Sequence, residues 1–228
     1  MKSVTPFLLA LFLGATMLAP QSASAYSEGQ ELIDEAAITV KKLMAEPDIA
    51  PHLQKYVSKA KGVLIFPNLL KAGFLYGAEG GSGVLLTRAA NGQWSYPAFF
   101  AMGSASFGLQ FGGQASETII LIMSPKGLTS ILAHKVKVGA ELNAAVGPLG
   151  GGFEASTSTA LGADMITYSI SKGAFLGGAL EGAIIEPRVT LNHEYYGSTG
   201  AATRAILLNG KYGNPNADRL RQLLATVK

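Results

Sequence analysis

The sequence predicts a single α+β domain: a curved, mainly antiparallel, glycine-rich sheet, with barrel-like closure open to it, flanked by N-terminal, central and C-terminal helices. Three observations predict it. Between Trp94 and Gly113, WSYPAFFAMGSASFGLQFGG, bulky and small residues take turns, which is the two-residue period of a pleated strand. Glycine supplies 28 of 228 residues and charged side chains 14%, against about 7% and about 25% in ordinary soluble domains. Strands can therefore approach closely, and part of the surface carries no charge. Helical spacing of apolar residues is confined to blocks before Pro47, after Pro51, after Pro125 and at the C-terminus.

Taken in order, residues 1–25 read as a secretory signal: Lys2 is a basic head, Phe7 to Leu18 an apolar run, and Ala23-Ser24-Ala25 a small-residue cleavage site. The domain then occupies 26–228, exported to a periplasm or cell envelope. It is expected to be peripheral, because Gly14 breaks an apolar run already shorter than the roughly 20 residues a spanning helix needs. With no cysteine there is no thiol to acylate and no disulfide frame, so stability must come from burial in one core.

Ser27 with Gln30 fits a capping box, and Leu32, Ile33, Ala36, Ala37, Val40, Leu43 and Met44 follow at helical spacing. A second helix opens at Pro51, with Leu53, Tyr56, Val57 and Ala60 on one face, Lys55 and Lys59 beside them, and Lys61 before the stop at Gly62. Strands follow at Val63 to Phe66, stopped by Pro67, then Phe74 to Tyr76, Val84 to Thr87 and Trp94 to Met102, with Asn91-Gly92 as the hairpin turn. Phe107 to Phe111 and Thr118 to Met123 continue the sheet, the latter apolar enough to be covered on both faces. A helix runs from Pro125 to His134. Val136 to Val146 alternates most regularly of all and reads as one strand, paired through the turn at 147–152 with Phe153 to Thr159. Ile166 to Ile170 is a strand, Lys172 to Ile185 a glycine-rich strand pair, and Thr203 to Leu208 a short helix. Asn214 caps a last helix that opens at Pro215 and buries Leu220, Leu223, Leu224 and Val227.

Chemistry-bearing patterns are missing. His52, His134 and His193 are scattered, His193-Glu194 lacks the second histidine of a metalloprotease helix, and no serine has glycine at both the second position before and the second after. The pairs Gly81/Gly83 and Gly150/Gly152 do not complete a dinucleotide fingerprint. No catalytic residue, metal ligand or cofactor is therefore expected. The formal charge of +3, about +2 without Lys2, gives no field that would favour nucleic acid.

The succession Lys61-Gly62-Val63-Leu64-Ile65-Phe66-Pro67, Lys71-Ala72-Gly73-Phe74, the Gly77 to Gly83 loop, Trp94-Ser95-Tyr96-Pro97-Ala98 and Phe107-Gly108-Leu109-Gln110-Phe111-Gly112 resembles the SYLF domain family. Gly147-Pro148-Leu149-Gly150, Tyr168 to Gly173 and Tyr195-Tyr196-Gly197 extend the likeness to nearly the whole of 26–228. The resemblance implies a non-enzymatic module that binds phospholipid headgroups. In eukaryotic members these are phosphoinositides, engaged through an amphipathic helix and basic residues near the domain's start, the region of Pro51 to Lys61 here. Actin, a partner of some eukaryotic members, is not expected for an exported chain, and a bacterial envelope would offer phosphatidylglycerol or cardiolipin.

The candidate headgroup contacts are Lys55, Lys59, Lys61 and Lys71, close together along the chain. At about 1 kcal/mol each on an anionic surface they supply roughly 4 kcal/mol if all four face it, which is millimolar binding. The remainder is assigned to apolar lipid contact, through an inserted face or a pocket, by Trp94, Tyr96, Phe100, Phe107 and Phe111 from the uncharged stretch. The competing reading is a structural or protein-interaction module of the envelope that presents an uncharged sheet face to a protein partner.

Overall fold

Residues 27–73, 76–107, 112–133, 135–147, 162–171 and 182–227 are described by the structure, a computed structural model. The signal sequence, Phe111, the Phe153 to Thr159 strand and most of the Lys172 to Ile185 pair lie outside the described residues.

Helix α1 (Glu28–Ala45) starts where the cap predicts, with Ser27 Oγ accepting the Gln30 N–H at 3.2 Å. The reciprocal half of the box does not form. The Gln30 side chain instead donates to Asp34 and to the Asn216 carbonyl and accepts the Tyr195 hydroxyl, which ties the first turn to the end of the chain. Helix α2 (Ala50–Val57) is short and carries Pro51 in its first turn.

Strands β1 (Gly62–Gly73), β2 (Tyr76–Thr87), β3 (Ala98–Phe107) and β4 (Gly112–Ile122) precede α3 (Pro125–Ala133). Then come β5 (Val136–Lys137), β6 (Ala144–Val146), β7 (Met165–Ser171), β8 (Ile184–Pro187), α4 (Val189–Tyr196), α5 (Thr203–Leu207), the 3-10 turn Pro215–Ala217 and α6 (Asp218–Thr226). They form one sheet ordered β5-β8-β3-β2-β1-β4-β7-β6, antiparallel except where β6 meets β7.

Four strand expectations need correction, the first being that Gly77 to Gly83, expected as a loop, lies within β2 in register with β3. Pro67 does not stop β1: the register shifts between Phe66 and Leu69 against β4, and this bulge holds a residue that has no N–H to offer a ladder. The strand expected from Trp94 begins only at Ala98, and Trp94 makes a lone bridge to Arg88 across the hairpin whose Gly92 has φ +82°. Val136 to Val146 is not one strand. It is two short pieces, β5 and β6, on opposite edges of the sheet, joined through a turn in which Gly139 adopts φ +87° and donates its N–H to Leu142 O at 2.8 Å. Only residues 138–143 separate the two edges, and Val138 bridges Leu142, so the sheet must curl until its edges approach each other.

That curl gives the sheet two buried faces. Val63, Ile65, Leu86, Phe99, Ile119 and Tyr168 pack under α1, α2 and α6 on the outside. Leu64, Phe66, Leu85, Phe100, Ile120 and Ile185 fill the hollow together with Ile131 and Leu132 of α3 and Ile206 and Leu207 of α5. The apolar run in β4 is buried on both faces for this reason, as expected.

Candidate functional site

The helix-sheet junction below α2 positions three of the four predicted lysines. Leu53, Tyr56 and Val57 turn into the core, leaving Lys55 and Lys59, one helical turn apart, exposed. Lys61 extends the ladder at the same end: its N–H donates to Ile122 O at 2.8 Å and its carbonyl accepts the Arg88 N–H at 2.9 Å, while its side chain is exposed. Arg88 locks the junction, donating to Val57 O at 3.1 Å with its guanidinium carbon 4.2 Å from the Trp94 ring centre. Burial lowers its pKa. Among the described residues no carboxylate pairs with Lys55, Lys59 or Lys61.

Lys71 does not join them. It lies ten residues farther along the strand that Lys61 leads into, about 30 Å away at the rise of a β-strand, half-buried and in register with Glu79 on one side and Gln114 on the other. Proximity along the chain is lost because the intervening residues are extended. Summing four lysines on one surface is therefore a mistake, and three remain at this end.

The predicted rings are also placed differently. Trp94 is 3% exposed and Phe100 0%, each within a core cluster, so neither meets a lipid from the folded surface. Tyr96 is half-buried with the Arg221 guanidinium carbon 4.0 Å from its ring centre, and burial together with Asp218 pushes its hydroxyl pKa up. Phe107 ends β3, and Phe111 lies outside the described residues. An uncharged, aromatic stretch is the composition of a lipid-contacting face and equally of a strand covered on both faces, and here it is the latter over Ala98 to Phe100.

The family-like motifs serve as internal ties. Tyr196 donates its hydroxyl to Pro97 O at 2.6 Å, joining the YYG and WSYP segments, and Asn192 Oδ1 accepts the Phe99 N–H at 2.8 Å. Burial raises the hydroxyls of Tyr195 and Tyr196 well above the usual tyrosine range. Ser124, Lys126 and Asp164 come together in a way spacing could not reveal. Ser124 Oγ caps α3 by accepting the Gly127 N–H at 2.9 Å and donates to Asp164, which also accepts the Asn143 N–H at 3.2 Å and lies 3.7 Å from Lys126 Nζ. With the Ser124 oxygen committed to a cap, the trio splices loops together. Among the described residues no three metal-ligating side chains converge.

One open groove of about 560 Å³ runs between α1 and the sheet, lined by Ile38, Lys42, Pro67, Ala115, Glu117 and Ile170. Glu117 accepts Thr39 Oγ1 at 3.0 Å and pairs with Lys42. Its charge, isolated in the sequence, is thus neutralised by the helix above it.

The family described as Ysc84, Las17-binding protein actin regulator, matches residues 103–227. Protein YSC84 of Saccharomyces cerevisiae is 33% identical over 79% of this chain and 38% of its own length. The SH3 domain-containing YSC84-like protein 1 of Xenopus laevis is 30% identical over 77% of the chain and 52% of its own, and LAS seventeen-binding protein 3 of S. cerevisiae is 33% identical over 76% and 37%. The chain thus spans about two fifths to one half of these relatives. With more than half of its residues inside the family match and relatives 30–33% identical over about three quarters of it, the chain belongs to the Ysc84 family, the SYLF domain family.

Proposed function

We propose that this is an exported module of the cell envelope that binds anionic phospholipid by docking on a bilayer surface, without catalysing a reaction. The observation that carries this reading is the exposed trio Lys55, Lys59 and Lys61 at one end of the sheet, with no carboxylate partner among the described residues, beside a hollow already filled by Phe66, Phe100, Ile120 and the helices α3 and α5. A filled hollow favours surface docking over enclosure of an acyl chain. Three lysines supply about 3 kcal/mol, weaker than millimolar by themselves, so binding needs further contacts at the same end.

Flotation with vesicles of phosphatidylglycerol and phosphatidylcholine at low salt tests the proposal. Co-flotation that falls as salt rises is expected, with little on phosphatidylcholine alone. Failure on both compositions would remove the reading. In that case the second reading, a protein-interaction module, stands on Leu70 of β1, 58% exposed, and on Ile38 of α1 in the groove, two apolar side chains left exposed on the fold's surface. The names of the relatives, Las17-binding and SH3 domain-containing, point the same way.

A further inference from the structure

Five large apolar side chains are exposed among the described residues: Ile38, Leu70, Val146, Val189 and Leu208. Their charge surroundings separate them. Ile38 shares its groove with Glu35 and Glu46 as well as the Lys42–Glu117 pair, and Leu70 pairs across from Ala115, two residues from Glu117 on the same face. Val189 follows Arg188, which is engaged by Glu28, and Val146 has no cation in β6 or in its partner β7. Leu208, 46% exposed, differs. Its N–H donates to Arg204 O at 3.0 Å, placing the exposed Arg204 one turn before it, and Lys211 follows with its N–H on Ala205 O at 3.0 Å.

The same residue emerges beside the lysine end. Thr87 donates its hydroxyl to Leu207 O at 2.6 Å, and Thr87 is the register partner of Gly62, the neighbour of Lys61. Lys61 bonds Ile122, from which the chain turns directly into α3 and its exposed Lys126. Nearby carboxylates are committed: Asp164 to Ser124, Asn143 and Lys126, Asp218 to Arg221, and Glu141 to the Lys137 N–H. Arg204 and Lys211 have no ion pair among the described residues.

We infer that this base, where α5 plugs the hollow, is the face that seats on an anionic bilayer: Leu208 inserts among the acyl chains, and Arg204 and Lys211 join Lys59 and Lys61 at the headgroups. The inference rests on the lipid-binding reading above and supplies the contacts that three lysines lack. It also orients the module, holding the end of the sheet that carries Lys71 and Leu70 away from the membrane. An apolar residue ringed by cations is the arrangement that gains from both acyl contact and anionic headgroups.

The test puts tryptophan at either end, using full-length chain and vesicles of phosphatidylglycerol with brominated phosphatidylcholine. Leu208→Trp is expected to show quenched, blue-shifted emission on binding, while Leu70→Trp stays at the level of wild type, whose single Trp94 is buried. Both sites are on the surface, and circular dichroism melts confirm that each variant is folded. Removing two charges with Arg204→Gln and Lys211→Gln is expected to weaken partition about thirtyfold at low salt. If wild type floats but Leu208→Trp is unquenched, Leu70→Trp is quenched, or the double variant binds unchanged, the orientation is overturned while lipid binding stands. If wild type does not float at all, both fall together.

Discussion

Asp164→Asn should destabilise the domain at neutral pH and flatten its response to acid. The carboxylate joins the loop before α3 through Ser124, the edge-to-edge crossing through the Asn143 N–H at 3.2 Å, and Lys126 at 3.7 Å, while the Asp164 backbone carbonyl accepts the Met123 N–H at 2.8 Å. Burial alone would raise the pKa of this carboxyl. The bonds from Ser124 and Asn143, with Lys126, outweigh it and hold the group below the usual carboxylate range. A depressed folded-state pKa contributes stability that is fully present above the unfolded value of about 3.9 and is lost as pH falls through the folded one. An asparagine keeps the shape but turns an amide NH2 toward one of the donors, and a buried donor left unmatched costs about 1–3 kcal/mol. For a chain of this size that is a fall in midpoint of roughly 3–10 °C. Thermal melts of both proteins at pH 7 and pH 3 give the answer: the advantage of wild type narrows at the lower pH. Equal midpoints at pH 7, or an unchanged gap at pH 3, would refute the reasoning.

Other substitutions probe the rest of the structure. Phe100→Ala removes a fully buried ring from the hollow and should cost about 3–5 kcal/mol in urea unfolding; a loss below 1 kcal/mol would mean that the ring is not core. Asn192→Ala strips the buried Phe99 N–H of its acceptor and should cost about 1–3 kcal/mol by the same measurement. Gly147→Ala would drive a methyl into the Tyr168 ring, and a loss of about 1–3 kcal/mol with a changed tyrosine near-ultraviolet signal is expected. Leu70→Lys, at an exposed site, should shift stability by no more than about 0.5 kcal/mol.

The sequence by itself determined what depends on near neighbours along the chain. Ser27 before an amphipathic block, Pro125 opening α3, Asn91-Gly92 between two strands and the isoleucine-rich run of β4 each act within a few residues, through caps, fixed torsions or a local pattern. The class of fold and the family follow from such signals in order. Tertiary structure alone decided which faces and ends those elements share. Alternation at Val136 to Val146 says that sides alternate, not that the strand continues, and Gly139 lets the chain cross from one edge to the other. Lys61 and Lys71 look like neighbours in a list of residues, yet the strand between them sets them about 30 Å apart. Trp94 and Phe100 look like a free apolar surface until α1, α2 and α6 close one face of the sheet and α3 and α5 the other. Arg204, Leu208 and Lys211 carry no signal that links them to Lys61. They come to it only because a hydroxyl of β2 holds the carbonyl at the end of α5, a contact between residues 120 positions apart. Burial and long-range pairing are properties of the assembled sheet, and no local preference encodes them.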